Sequence, residues 1–380
     1  MDCIAQAKGC DMTTKTKNIV QTAVFAVLLF ALAFACWFGR DKDFSNDERR
    51  VLASFPEITW ERLLNVEFMK DFDTYSQDQF PLRDTFRGVK TAAQFYVFGR
   101  AETNDLYMAE GHISKLDGEA SYPMLDHAAE RFQYLYDTYL ADKNMNIYFS
   151  VVPDKNYFMA ESNGYPALDY AKLTGYMLDK TQYMEYIDIY DKLYLDDYYC
   201  TDSHWRQENL PRIAAYIADK MGVKLDAEYT ENVLNIPFEG VYVGQSALPL
   251  KPDTIVYLTN EILENCIVTS YDTGTAKPGV MYDFEKAEKG DAYDLYLSGA
   301  NPFVTIENPN AETDRELYIF RDSFGSSIAP LFAEGYAKVT VIDIRYVQSA
   351  FLGSLIDFTN GSDVLFLYST GMLNSSLGLR

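Results

Sequence analysis

The sequence predicts an α/β fold: a sheet with helices on its faces, entered after one membrane-spanning helix and a helical lead. Three observations carry this. From Asp105 onward, short apolar runs alternate with amphipathic stretches, as strands and their covering helices do. Residues 59–99 place apolar side chains at helical spacing. The 20 residues from Ile19 to Phe38 carry no charge, enough at about 1.5 Å per residue to cross a hydrocarbon core of about 30 Å.

The elements follow in order. Residues 1–17 form a tail and 18–39 a signal anchor. The apolar stretch outruns a cleavable signal-peptide core, and no small-x-small cleavage site precedes the charges at Arg40, Asp41, Lys42 and Asp43. Lys8, Lys15 and Lys17 before the helix nearly balance Arg40 and Lys42 after it, so the positive-inside argument gives little orientation. The shortness of the tail favours a cytoplasmic N-terminus and an exported C-terminal part. Residues 40–100 read as an extended lead and a helical hairpin. Its first helix, Glu61 to Phe80, carries Leu63, Leu64, Phe68, Phe72 and Tyr75 at helical spacing and is ended by Pro81; its second runs from Leu82 to Phe98.

Residues 101–380 form the α/β domain. LYMAEGHISKL reads as a β-hairpin turning at Glu110-Gly111, Asp126 to Lys143 as a helix and Ile147 to Val152 as a buried strand. Strands are expected at Tyr186–Tyr190, Glu316–Phe320, Lys338–Asp343 and Asp363–Tyr368, and helices at Arg206–Met221 and Ser326–Glu334. From Pro252 to Pro309, glycine, proline and aspartate interrupt every run, and no strand can be placed.

With 33 basic against 56 acidic residues, the net charge is −23, which repels nucleic-acid phosphate and excludes that class of partner. The 30 tyrosines suit core packing, and their faces also suit sugar rings. Cys3, Cys10 and Cys36 belong to tail or anchor, leaving Cys200 and Cys266 for the domain. They form one disulfide if the domain is exported, or stay as two buried thiols. No metal-ligand spacing occurs, and no metal or cofactor is expected.

Histidine is the natural general base near neutral pH, and there are only His112, His127 and His204. His112 beside a hairpin turn and His127 in the first turn of a helix read as ordinary surface residues. His204 falls in Thr201-Asp202-Ser203-His204-Trp205, between a strand-like run and a helix, where α/β proteins place functional loops. Asp202 can hold its Nδ1–H and leave Nε2 to take a proton. A serine nucleophile needs an exposed turn and donors for an oxyanion. Arg321-Asp322-Ser323-Phe324-Gly325 follows the strand LYIF and opens a helix, putting the Ser323 amide near a helix N-terminus. The plainer alternative is that Asp322 and Ser323 merely cap that helix.

The pair T-D-S-H-W and R-D-S-F-G, in this order, resembles the DHHW family of anchored bacterial proteins, itself similar to the alginate O-acetyltransferases AlgX and AlgJ. FMKDFDTYSQDQFPLRD, VVPDK, YIDIYDKL and DVLFLYSTGMLNSS extend the resemblance from Phe44 to the C-terminus. It implies an SGNH-hydrolase-like, flavodoxin-like domain with a mostly parallel sheet. It also implies a catalytic triad of Ser323 as nucleophile, His204 as base and Asp202 as orienting acid. Ser203 stands where the family has its first histidine, and Arg321 where SGNH esterases have glycine.

The activity implied is ping-pong transfer of an acetyl group through an acyl-serine to hydroxyls of a cell-surface polysaccharide. The donor side would be a membrane-bound O-acyltransferase partner. Oxyanion candidates are Ser323, Gly299 and Asn301; Asp154, Lys155 and Arg345 are candidate substrate contacts, with surface ion pairs as the alternative, and Arg321 either contacts an anionic group of the substrate or narrows access to Ser323. A carbohydrate esterase with the same triad, and a noncatalytic glycan-binding or scaffold component of a polymer-export complex, are the competing readings. No carboxylate pair is spaced to suggest a glycosidase.

Overall fold

The computed structural model describes residues 14–45, 50–100, 102–247, 250–271 and 274–380, so most of the expected tail lies outside the described residues. The chain divides into two compact units, one ending at Lys90 and the other spanning Thr91–Arg380.

In the first unit, the helix Thr14–Phe38 has 25 residues and is long and apolar enough to cross a membrane. The single helix expected over 61–80 is two, Trp60–Leu64 and Glu67–Asp78, separated where Val66 adopts a left-handed φ of 68°. Thr59 caps the first by accepting the Arg62 N–H. Phe55 packs edge-on against Phe68, Phe72 and Tyr75. A further helix, Arg83–Ala92, begins in this unit and ends in the second, where it widens into a π-helical turn at Ala93–Val97.

The second unit is built on an eight-stranded sheet. Its strands are β1 Asn146–Val152, β2 Glu185–Tyr186, β3 Ile267–Ser270, β4 Lys277–Pro278, β5 Phe303–Glu307, β6 Glu316–Arg321, β7 Lys338–Ile342 and β8 Asp363–Ser369. The spatial order is β4-β3-β5-β7-β6-β8-β1-β2. The run β7-β6-β8-β1-β2 is parallel, whereas β5 pairs antiparallel with β7 and β3, and β3 antiparallel with β4. The sheet is therefore mixed, with four of its seven pairings parallel. Too few residues separate β3 from β4 for the crossover a parallel pair requires.

Central strands alternate between two cores. Leu317 and Ile319 of β6 and Leu365 and Leu367 of β8 join Trp205, Ile213 and Phe332 on one face. Tyr318 and Phe320, with Val364, Phe366 and Tyr368, join Phe132, Phe149 and Leu173 on the other. Both faces are covered, so these strands read as unbroken apolar runs instead of alternating ones. Each such side chain taken fully from water stabilises the fold by roughly 1.5–3 kcal/mol.

Proline and edge position account for most of the remaining differences. The helix expected over Arg206–Met221 is a 3-10 turn, Gln207–Asn209, followed by an α-helix that starts at Pro211 and ends at Lys220. That expected over Ser326–Glu334 begins at Gly325 and tightens to 3-10 geometry at Ala329, where Pro330 lacks a donor. The helix at Tyr122–Leu135 loosens into irregular turns reaching Lys143. The strand expected at 186–190 shrinks to two residues on the sheet edge. The predicted hairpin forms, with Leu106–Ala109 antiparallel to His112–Lys115.

Candidate active site

Strands β6, β8 and β1 are adjacent and parallel, so the chain just after each emerges at one edge of the sheet. In open α/β sheets this carboxyl edge is where ligands bind. Ser323 lies two residues beyond β6, in a tight turn. The Asp322 carboxylate accepts the Phe324 N–H at 3.0 Å, and it accepts the Ser369 N–H and hydroxyl at 2.8 and 2.6 Å, fastening the turn to the end of β8. A Cβ on Gly325 would sit 2.5 Å from the Arg321 Cβ, so the turn closes only with glycine there. The Ser323 N–H has no hydrogen-bond partner among the described residues.

The segment bearing His204 is pinned on to this turn. Trp205 is fully buried, and its indole N–H donates to the Phe324 carbonyl and the Ser327 hydroxyl, both at 3.0 Å. The buried Asp202 carboxylate accepts the His204 backbone N–H at 3.0 Å and lies 2.6 Å from Nδ1 through the same oxygen. Its other oxygen accepts the Val241 N–H at 2.8 Å. His204 Nε2 lies 2.7 Å from Ser323 Oγ. With Nδ1–H held by the carboxylate, Nε2 is the acceptor for the serine proton. Tyr293 stacks on the imidazole, ring centres 4.0 Å apart and planes within 12°, while its hydroxyl meets Ser327 Oγ at 2.9 Å.

A second layer sets the Asp202 loop. Asp253 accepts the N–H groups of Cys200 and Thr201 and the Thr201 hydroxyl at 3.0, 2.7 and 2.6 Å, and pairs with Arg206 at 2.8 Å. Gly240 N–H donates to Thr201 Oγ at 3.0 Å. The Lys155 ammonium donates to the Tyr199 and Cys200 carbonyls at 2.9 and 3.1 Å and lies 5.0 Å from the Tyr242 ring centre. Burial pushes its pKa down to about 7, against the opposing pull of Asp202 and Asp253.

The structure brings Asp202, His204 and Ser323 into one hydrogen-bonded line, and it gives the remaining named residues internal partners. Arg321 is buried with its guanidinium on Asp343, at 3.1 Å, and on the Gly299 carbonyl. Arg345 pairs with the same Asp343 at 2.6 Å. Asp154 accepts from Tyr170, Thr370 and the Asn156 N–H. Gly299 N–H donates to Tyr296 O, and Asn301 Nδ2 to Leu297 O. Cys200 and Cys266 are free thiols, the second of the two alternatives that the sequence leaves open. Cys200 Sγ is 3.7 Å from His112 Nε2, whereas Cys266 packs on the core at the start of β3. His112 itself is buried instead of on the surface. No group of three or more metal-ligating side chains occurs among the described residues.

Sequence reasoning missed Tyr293, Asp253 and Gly240. All three lie in stretches without periodicity, and no local motif marks them.

No protein-family model matches the sequence, and no curated protein matches it. Solved structures do. A DHHW family protein from Eubacterium siraeum aligns at 19% identity and a TM-score of 0.57, covering 73% of this chain and 95% of its own. Bacillus cereus PatB1, solved with a sulfonyl adduct, aligns at 20% identity and a TM-score of 0.56, covering 72% and 96%. The O-acetyltransferase domain of Pseudomonas putida AlgJ aligns at 11% identity and a TM-score of 0.37, covering 67% and 84%. In fold, this chain is similar to the DHHW family protein and to PatB1.

Proposed function

We propose that this chain is a membrane-anchored, extracytoplasmic O-acetyltransferase that modifies hydroxyls of a cell-surface polysaccharide. The observation that carries the reading is the line Asp202–His204–Ser323, with contacts of 2.6 and 2.7 Å. Ser323 Oγ attacks the acetyl carbonyl while Nε2 takes its proton. The tetrahedral oxyanion collapses, the donor's oxygen leaves, and the imidazolium returns the proton to it. A sugar hydroxyl then attacks the acetyl-serine, giving its proton to Nε2. The acetyl–Oγ bond breaks, and Ser323 is restored with that proton. The free Ser323 N–H supplies one oxyanion donor. The SGNH-hydrolase-like reading of the domain and a membrane-bound acyltransferase as donor belong to the same proposal. The N-terminal helix supports the anchoring.

The test is acetyl release from p-nitrophenyl acetate by the full chain in detergent, with and without a polysaccharide acceptor. The expected result is turnover lost in Ser323→Ala, acetyl appearing on the glycan, and a phenylmethanesulfonyl fluoride adduct on Ser323 alone. Turnover with water as the sole acceptor would make the chain an esterase. Equal rates for both proteins would leave the noncatalytic glycan-binding role.

A further inference from the structure

We propose that the helix Arg83–Ala92 lies flat on the bilayer that holds the N-terminal helix, with Leu82, Phe86 and Val89 sunk into the headgroup boundary. Leu82, with a left-handed φ of 56°, immediately precedes the helix, and Phe86 and Val89 stand about one turn apart on it. Their fractional exposures are 68%, 49% and 62%, although burial is the usual fate of such residues. The polar side carries Arg83, Arg87 and Lys90 against the single acid Asp84, a local basic excess within a chain of net charge −23. A stripe of bulky apolar residues backed by basic ones is the composition of an interfacial helix.

The position at which the helix begins makes the bilayer its partner. Within the first unit, the chain leaving the anchor is tied to the residues just before Arg83. Lys42 N–H donates to Gln79 Oε1, and Gln79 Nε2 donates to the Lys42 carbonyl, both at 3.0 Å. The Tyr75 hydroxyl donates to Asp41 at 3.0 Å. Cys36, inside the last turns of the anchor, is buried with its thiol 4.0 Å from the Ser76 carbonyl. Asp78 accepts from Arg50 and the Ala53 N–H and faces Arg83 at 3.7 Å. The start of the helix is thereby fixed at the depth where the anchor leaves the hydrocarbon. Aromatic anchors mark that depth, with Trp37 and Phe38 exposed. Trp60 and Leu64, one helical turn apart and both more than 80% exposed, extend the apolar surface of this unit.

The experiment places the full chain in nanodiscs containing lipid brominated near the headgroup and reads tryptophan emission. One protein carries Trp60→Phe, leaving Trp37 to report on the anchor. A second carries Trp37→Phe, Trp60→Phe and Phe86→Trp, and a third replaces Phe86→Trp with Val89→Trp. Buried Trp205 is the common background. The expected result is loss of roughly half or more of the emission from Trp37 and from the tryptophan at 86 or 89, as for side chains about 5–10 Å deep. Quenching of Trp37 without quenching at 86 and 89 overturns the proposal while the anchor stands, and assigns the stripe to a protein partner or second copy. No quenching at any position removes the anchor reading and the proposal together.

Discussion

The phenol ring of Tyr293 lies parallel to the imidazole of His204, 4.0 Å away, and its hydroxyl reaches Ser327 on the helix that follows Ser323. One residue thus fixes the ring plane of the proposed base and references it to the serine turn. A parallel aromatic contact contributes about 0.5–1.5 kcal/mol beyond burial. Tyr293→Leu should therefore cut kcat by roughly threefold to tenfold, whereas Tyr293→Phe, which keeps the ring, should stay close to the parent. Steady-state rates on p-nitrophenyl acetate decide it. Equal losses in both variants would assign the effect to the hydroxyl.

Asp202 is buried, and one oxygen serves both the His204 amide and Nδ1. Asp202→Asn preserves shape but presents a donor to one side of the imidazole, so the tautomer that leaves Nε2 free is no longer held. By the pattern of serine triads, kcat should fall about 10³–10⁴-fold. Thermal unfolding followed by circular dichroism should move far less, because the packing is unchanged. An enzyme still at a tenth of parent activity would remove Asp202 from the proposed mechanism.

What the sequence reveals depends on how local the signal is. Ser323, His204 and Asp202 were legible because each sits in a short polar motif beside a strand or helix whose apolar run is readable. Tyr293 and Asp253 were not, because the chain between Pro252 and Pro309 builds two-to-five-residue strands and single-turn helices. In pieces that short, periodicity cannot accumulate. The same brevity hid the antiparallel half of the sheet, where partners are chosen by tertiary packing. Arg321 and Arg345 read as candidate substrate contacts because the sequence does not show that Asp343, two residues before Arg345, is buried and meets both of them.

Cys200 and Cys266 are both free, and burial raises both thiol pKa values. A disulfide between them would close a long loop and contribute roughly 4 kcal/mol, or about 8–16 °C in Tm for a domain of this size. Dithiothreitol should leave Tm unchanged. In urea, both cysteines should react with Ellman's reagent without prior reduction. A large fall in Tm on reduction would restore the bond.

Gly240 passes so close to the Asp202 loop that a Cβ there would stand 2.3 Å from the Thr201 carbonyl and 2.5 Å from the Asp202 Cβ. Gly240→Ala must push one segment away from the other. Overpacking of this kind costs about 1–3 kcal/mol, and a displacement of about 1 Å at a positioned catalytic group can lower the rate roughly 10²-fold. Both Tm and kcat should drop. Gly361→Ala, at an open turn, should strain its own backbone and lower Tm with kcat intact, separating loss of fold from loss of geometry.

Lys155 links stability to pH. Its ammonium is buried beneath the loop that carries Asp202 and His204, bonded to the Tyr199 and Cys200 carbonyls, and burial brings its pKa from 10.5 down to about 7. Between those values the unfolded chain binds a proton that the folded chain does not, so this residue makes stability rise with pH across that window. Lys155→Met abolishes the dependence. It also strands the Tyr199 carbonyl, at about 1–3 kcal/mol, whereas the Cys200 carbonyl keeps the Ile113 N–H at 2.8 Å. Urea unfolding at pH 7, 8 and 9 should show the parent gaining on Lys155→Met at every step, because raising the pH relieves the parent of a buried charge that the variant never had. An unfolding free energy, parent minus variant, that stays constant or falls as pH rises would mean that the fold does not depress the Lys155 pKa.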